Sequence, residues 1–120
     1  MTPEIKIRNQ ICNWLWVFKI QLERDGKERF KFWVNSSVGI WDQRKQLYRK
    51  NRSPWNLLGV CDIIGCLDGR FIGIEVKTES GRVSTAQKIF IDHITEIGGL
   101  CFVARSVDDV KTAFSNQGLL

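Results

Sequence analysis

The sequence predicts a single α/β domain over residues 1–120, in which a mixed β-sheet is flanked by helices. Three observations carry this prediction: an amphipathic helix opens the chain, two short apolar stretches meet at Asp68-Gly69, and a second helix is followed by a further apolar stretch. The order αβ…ββαβα contains a strand–helix–strand unit, which is typical of a sheet covered by helices. A chain of 120 residues is long enough for one hydrophobic core.

The first helix is expected to begin at Thr2, as the N-cap, with Pro3 in the first helical position. Apolar residues then recur at helical spacing until Asp25-Gly26 ends the helix: Ile7, Ile11, Trp14, Leu15, Phe18 and Leu22. A second apolar stripe lies well round the helix at about 100° per residue: Ile5, Cys12, Trp16 and Ile20. This stripe packs either under the region from Trp33 to Trp41 or against a second copy, and we expect a two-fold homodimer.

The stretch "RFKFWVNSS" alternates apolar and other residues from Phe30 to Asn35, as a half-buried strand does. Residues 36–58 show no clear period and are expected to be irregular. Lys plus Arg outnumber Asp plus Glu by 18 to 13, and this excess favours polyanionic partners. The irregular segment holds a cluster expected to bind DNA, with a solvated basic loop as the alternative: Arg44, Lys45, Tyr48, Arg49, Lys50 and Arg52.

The dipeptide Asp68-Gly69 predicts a two-residue type I′ hairpin turn. Such a turn sets Leu67 opposite Arg70, and counting back in twos then places Asp62 directly opposite Glu75. Opposed residues have Cβ atoms about 4.5 to 5.5 Å apart. Two carboxylates this close in apolar surroundings are expected to share either a proton or a cation.

Lys77 follows Glu75 by two residues and is therefore expected on the same face of its strand. Gly73 on that face leaves room for a ligand to approach. A structural salt bridge among the two acids and Lys77 is the alternative. The opposite face is expected to be core: Ile63, Leu67, Ile72, Ile74 and Val76.

The stretch "SGRVSTAQKIFIDHITEIGG" predicts a helix that begins after Ser84, with Gln87 completing a capping box, and that ends at a glycine pair. The next stretch, "LCFVARS", is expected to be a buried strand. Ser106 then begins a last helix through about Phe114, and residues 115–120 are expected to fray.

The four cysteines show no metal-ligand spacing and lie in apolar runs, so we expect buried free thiols. No apolar run reaches the roughly 18 residues of a membrane span. The amino terminus also lacks the apolar segment of a signal peptide. We therefore expect a soluble, intracellular (cytoplasmic) protein with no membrane partner.

Asp62, then twelve residues, then Glu75-Val76-Lys77 resembles the D…ExK signature of the PD-(D/E)xK nuclease superfamily. The stretch from Gly59 to about Val110 also resembles the VRR-NUC family, the virus-type replication-repair nucleases. This wider likeness includes a glutamine soon after ExK and a glutamate in the first helix. Cys61 stands where the family usually has proline.

The resemblance implies a PD-(D/E)xK restriction-endonuclease-like core and a bound Mg²⁺ or Mn²⁺. It also implies these roles: metal binding by Asp62, Glu75, the backbone carbonyl of Val76 and Glu4; water activation by Lys77; and orientation of nearby groups by Gln87. Two of the assignments have structural alternatives. An acid in a first helical turn, such as Glu4, is favoured by the helix dipole, and Gln87 is accounted for by the capping box.

The function expected from these features is a metal-dependent DNA endonuclease, selective for branched or four-way-junction DNA. The alternative is a non-catalytic nucleic-acid-binding module that keeps the nuclease fold. A sequence-specific restriction-type enzyme would need an added recognition region, for which 120 residues leave little room.

Overall fold

A computed structural model describes residues 1–23, 26–35, 40–49 and 54–120. Within these ranges the chain forms three helices and six strands, in the following order: α1 (Pro3–Leu22), β1 (Phe30–Val34), β2 (Ile40–Asp42), β3 (Leu47–Arg49), β4 (Ile63–Leu67), β5 (Arg70–Val76), α2 (Thr85–Glu96), β6 (Leu100–Ala104) and α3 (Val107–Asn116). No helix in these ranges has the length and apolar character needed to cross a membrane.

The main sheet has four strands in the order β1-β4-β5-β6. The pairs β1–β4 and β4–β5 are antiparallel, whereas β5 and β6 run parallel and are connected through α2. The predicted mixed α/β sheet with flanking helices is therefore confirmed. The helix starts are confirmed too, since Thr2, Ser84 and Ser106 are the three N-caps.

The hairpin between β4 and β5 has the predicted register near its turn. Leu67 pairs with Arg70, and Asp68 and Gly69 have the positive φ angles, 49° and 84°, of a type I′ turn. The ladder ends at Ile63 opposite Ile74. Because β4 begins at Ile63, the ladder ends one pair before Asp62 and Glu75. The expectation that Asp62 pairs with Glu75 in the ladder is therefore wrong.

The hydrophobic core lies on one face of the sheet, under α1 and α3. All five side chains of β4 and β5 expected in the core are buried there. The helices contribute Ile11, Leu15, Phe18, Val110 and Phe114. Alternation along β5 sends the residues between these core positions to the opposite face, which α2 covers.

Helix α2 packs on this second face through few side chains. Phe90 meets Phe71 edge to face, with ring centroids 6.4 Å apart. Ile94 lies against Gly99, where an added Cβ would come within 2.5 Å of it. This packing sets the first turn of α2 beside Glu75 on β5.

Residues 36–58, expected to be irregular, contain the two-stranded antiparallel sheet β2–β3. Arg44 and Lys45 lie exposed in its turn. Of the other residues in the predicted DNA-binding cluster, Tyr48 and Arg49 are placed only as backbone in β3, and Lys50 and Arg52 lie outside the described residues. The cluster as a DNA-binding surface therefore stays a prediction.

The carboxyl-terminal residues include the end of α3 and a contact with the core. Helix α3 continues to Asn116, and Leu119 packs against the core. The Leu119 N–H donates to the Phe114 carbonyl at 2.9 Å, which satisfies one of the last carbonyls of the helix. Fraying of residues 115–120 stays a prediction.

The four cysteines are free but differ in burial. Cys61 and Cys101 are buried, as expected, and Cys12 is half-buried. Cys66 is exposed, against the expectation, because it lies at a position of β4 that faces away from the core.

Candidate metal centre

Asp62 immediately precedes β4, and its hydrogen bonds reach the end of β1 on one side and β5 on the other. Its backbone carbonyl accepts a hydrogen bond from Asn35 N at 2.7 Å, next to β1. Its side-chain Oδ2 accepts from Val76 N at 2.8 Å, on β5. The carboxylate thus replaces the backbone acceptor that a continued strand would supply, and this holds the side chain at the end of β5.

Glu75 is the most deeply buried acid of the site, with 2 % of its surface exposed. Its Oε1 accepts from Gln87 Nε2 at 2.8 Å and lies 3.5 Å from Lys77 Nζ. Its Oε2 is buried and, among the described residues, has no hydrogen-bond partner. A buried polar atom without a partner costs about 1–3 kcal/mol, and more when it is charged.

Burial raises the pKa of Glu75 to about 8; the negative charge of Asp62 and a hydrogen bond from the protonated Glu75 to Asp62 add to the shift, while Lys77 opposes it. Without a cation, most molecules therefore carry a proton on this carboxyl group at neutral pH. A divalent ion at the same place would displace that proton, because metal ligands bind in their deprotonated form.

Lys77 is oriented toward the site because the hydrogen bonding between β5 and β6 continues for one residue beyond the end of β5. Its backbone N–H donates to the Ala104 carbonyl at 3.1 Å, one residue beyond the end of β5. The side chain, 14 % exposed, then lies on the same face as Glu75 with its amine near Oε1. The predicted common face of Glu75 and Lys77 is confirmed.

Gln87 combines the two roles that the sequence left as alternatives. Its Oε1 accepts from Ser84 N at 2.8 Å, and its own N–H donates to Ser84 Oγ at 3.1 Å, which completes the capping box. Its Nε2 donates to Glu75 Oε1 at the same time. One amide thus caps α2 and holds a carboxylate oxygen of the site, since an amide offers both an acceptor oxygen and a donor nitrogen.

Val76 and Glu4 are placed differently with respect to the two acids. Val76 is buried at the end of β5, and its N–H bond to Asp62 puts its peptide group beside the pair. Glu4 lies exposed in the first turn of α1. In the part of the chain that the structure describes, no three His, Cys, Asp or Glu residues are grouped to hold a metal, so Glu4 does not join Asp62 and Glu75.

Arg105 was not found from the sequence, yet it organises the loop between Lys77 and α2. Its Nη1 donates to the carbonyls of Thr78 at 2.6 Å, Gly81 at 2.7 Å and Glu79 at 3.3 Å. Hydrogen bonds from a charged donor are the stronger kind. Arg105 lies 27 residues from Thr78, so no local sequence pattern indicates the contact.

Two thiols lie near the acids, beside Gly73 on β5. Cys61 Sγ and Cys101 Sγ are 3.1 Å apart, and both residues are buried. The hydrogen bond to Cys101 and then burial raise the pKa of the Cys61 thiol, which therefore stays protonated at neutral pH. Cys61 precedes Asp62 in the chain, and the charge of Glu75 acts on both thiols.

Comparison of the chain with protein-family models, with characterised proteins and with solved structures finds no match. Two carboxylates, one with a buried oxygen that receives no hydrogen bond from the described residues, offer the hard oxygen ligands that Mg²⁺ and Mn²⁺ prefer. The donor set fits such an ion.

Proposed function

We propose that this protein is a metal-dependent DNA endonuclease that hydrolyses phosphodiester bonds, with a preference for branched or four-way-junction DNA. The observation that carries the proposal is the buried Glu75 carboxyl group: its Oε2 receives no hydrogen bond from a donor within the described chain, and the neighbouring Asp62 carboxylate can pair with Glu75 only through a shared proton. A carboxyl group in this position is costly unless it holds a proton or a cation. The D…ExK spacing and the neighbouring amine favour the cation.

Asp62, Glu75 and the carbonyl of Val76 would hold Mg²⁺ or Mn²⁺. When bound, such an ion neutralises the two carboxylates and stabilises the charge that develops on a phosphodiester during attack by water. The contacts of Asp62 with Val76 N, and of Glu75 with Gln87, keep the two carboxylates from rotating away. This fixed arrangement supports catalysis because the ligands need no reorganisation.

Lys77 would orient or activate the attacking water. Its amine lies 3.5 Å from Glu75 Oε1, so it is held by a carboxylate and points to the same face as the proposed metal. An ammonium group can also donate to a phosphate oxygen. Gln87 keeps its amide on Glu75 Oε1 and thereby leaves Oε2 for the ion.

DNA as the partner is supported by the net charge of +5 and by the exposed Arg44 and Lys45 in the β2–β3 turn. The second candidate, a nucleic-acid-binding module without catalysis, rests on the same charges. It differs in needing no ion at Asp62 and Glu75. Cleavage therefore separates the two candidates.

The decisive experiment incubates the purified protein with labelled linear, flap and four-way-junction DNA in Mg²⁺, Mn²⁺ or EDTA. We expect cleavage only with metal, with the junction or flap cut fastest. Asp62→Asn and Glu75→Gln should abolish it, whereas Glu96→Gln, which removes an exposed acid at the end of α2, should not. Binding of DNA without cleavage under every metal condition would favour the binding module.

The DNA partner has its own measurement. Replacing Arg44 and Lys45 by Gln should weaken DNA binding for all sequences and lower the salt dependence, by up to about 0.9 in log–log slope for each lost phosphate contact. Lys111→Gln, an exposed change on α3, is the matched control. An unchanged slope would assign the basic segment to a solvated loop.

A further inference from the structure

Cys61 and Cys101 form a dithiol that the proposed reaction does not use. Their exposed fractions are 0 % and 7 %, and the sulfur atoms are 3.1 Å apart although the residues are 40 positions apart in the chain. A disulfide bond is about 2.05 Å long. The two sulfurs are thus about 1 Å from bonding distance.

The meeting of the two thiols depends on Gly73, which lies between them on β5. Cys101 is the register partner of Gly73, and Cys61 comes from the segment that enters β4 on the other side. A Cβ atom at residue 73 would lie 2.9 Å from the Cys101 sulfur and 3.1 Å from the Cys61 sulfur. Glycine therefore leaves the space in which the thiols touch.

We infer that Cys61 and Cys101 are a modification site that closes to an intramolecular disulfide when a peroxide oxidises the protein. One thiol attacks hydrogen peroxide, its S–O bond forms as the O–O bond breaks, and one water leaves. The other thiol then attacks the resulting sulfenic acid, the S–S bond forms, and a second water leaves. Cys101 reacts first, because it is the more exposed of the two and lies on β6, an edge strand of the main sheet.

The disulfide also acts on the acid pair, an effect that rests on the proposed function. Bonding moves Cys61 by a fraction of an ångström to an ångström, and Asp62 is the next residue in the chain. The Oδ2 bond to Val76 N, which orients the Asp62 carboxylate, is then altered. We expect Mn²⁺ to bind the oxidised protein at least threefold more weakly than the reduced protein.

The test uses a Cys12→Ser/Cys66→Ser variant, so that only the proposed pair can react, and compares it with the same chain carrying Cys101→Ser. After treatment with hydrogen peroxide, the two-cysteine protein should lose about 2 Da in intact mass, yield a cross-linked Cys61–Cys101 peptide and regain both thiols with dithiothreitol. Its Tm should rise by about 5 °C, since a bond that closes a long loop restricts the unfolded chain. The Cys101→Ser chain should show neither the loss of 2 Da nor the rise in Tm.

A two-cysteine protein that keeps two free thiols, or gains oxygen atoms as sulfinic acid instead of losing mass, would overturn the disulfide. Calorimetric titration then compares the Mn²⁺ affinities of the reduced and oxidised forms, which tests the coupling between the disulfide and the acid pair. Equal affinities would reject the coupling while the mass result still stands for the disulfide. If Mn²⁺ bound neither form, the proposed function would fail, and the disulfide would still be decided by mass.

Discussion

At the scale of single residues, Glu75 is an acidic side chain in an environment that is unfavourable for its charged form. It is almost fully buried, one of its oxygens lacks a partner among the described residues, and the pKa of its carboxyl group is raised to about 8. Natural cores avoid such groups because an ionised carboxylate loses its hydration there. A group that is unfavourable for folding in this way is a common mark of a functional site.

The raised pKa of Glu75 predicts how stability depends on pH in the absence of metal. The carboxyl group titrates near 4.5 in the unfolded chain and near 8 in the folded one, so the folded state holds a proton that the unfolded state has released. Stability should therefore fall as pH rises from about 4.5 to about 8. Glu75→Gln should remove this part of the dependence, measured as the urea midpoint between pH 5 and pH 8.

Glu75→Gln also provides the control for the predicted pH dependence of stability. Below about pH 4.5 both states of the wild type are protonated, so wild type and Glu75→Gln should change in parallel there. Above pH 8 Glu75→Gln should be the more stable protein, because it has no buried charge. A constant difference in midpoint across the whole range would contradict the raised pKa.

Gln87 predicts a separation between helix capping and the site. Gln87→Glu keeps an oxygen that accepts from Ser84 N, but it loses the donor to Glu75 and brings a negative charge beside it. Mn²⁺ binding should weaken and cleavage should be impaired, because Glu75 loses the donor that orients it, while α2 keeps its cap. Ser84→Ala is the matched control, since it removes the Oγ of the cap and should cost about 1 kcal/mol of stability without changing Mn²⁺ affinity.

The capping role and the positioning role are distinguished by comparing these two variants in calorimetric titrations and thermal melts. If Ser84→Ala weakened Mn²⁺ binding as much as Gln87→Glu, Gln87 would act only through the cap. A normal Mn²⁺ affinity in Gln87→Glu would show that the hydrogen bond from Gln87 to Glu75 does not contribute to metal binding.

At the scale of elements, the start of α2 is fixed by a close contact of backbones. Gly59, with φ of 79°, lies against Ala86 and Gln87, and an added Cβ would meet the Ala86 carbonyl group and come within 2.6 Å of Gln87 N. The segment that leads to Asp62 and the helix turn that carries Gln87 are thereby held together. Local conformation and tertiary packing both require glycine here.

Gly59→Ala should therefore destabilise the protein more than a glycine substitution that only strains the backbone. Gly69→Ala is the control, because Gly69 has a φ of 84° but nothing within 4 Å of an added Cβ. We expect a loss of about 1–2 kcal/mol for Gly69→Ala from the left-handed conformation, and at least about 1 kcal/mol more for Gly59→Ala from the clash. Urea unfolding of both variants measures the difference, and equal losses would argue against the backbone contact.

At the scale of the whole molecule, α1 presents an apolar surface that the described chain leaves largely uncovered. Trp16, Val17 and Ile20 are exposed to 56 %, 52 % and 53 %. The other two residues of the predicted stripe, Ile5 and Cys12, are half-buried. The intrachain alternative, packing under the region from Trp33 to Trp41, includes residues 36–39, which lie outside the described residues, so it stays a prediction beside the dimer. A self-complementary two-fold contact is the common way for a small chain to bury such a surface.

We therefore predict a homodimer, with a mass near twice 13.9 kDa in light scattering after size exclusion at micromolar concentration. Trp16→Glu should give monomers that unfold at a similar temperature and still bind Mn²⁺, because Trp16 is not part of the core. Gln10→Glu, which adds the same charge at an exposed position of α1, should remain dimeric. A wild-type mass near one chain would reject the dimer.

Local signals in the sequence determined much of the fold. The caps at Thr2, Ser84 and Ser106, the turn at Asp68-Gly69 and the apolar face of β5 were all predicted correctly, because each depends on residues within a few positions of one another. The β2–β3 pair was missed for a related reason. Strands of three residues are too short to show an alternating pattern.

The sequence also indicated Asp62, Glu75, Lys77 and Gln87 as a group, but the contacts among them were decided by the tertiary structure. The Asp62 bond to Val76 N and the Arg105 bonds to the loop after Lys77 join segments distant in the chain. The burial of Glu75, with an oxygen that no described donor reaches, also depends on such packing. The thiol pair across Gly73 does the same. Residue spacing sets which face a side chain takes, whereas burial and hydrogen-bond partners depend on which distant segments pack together.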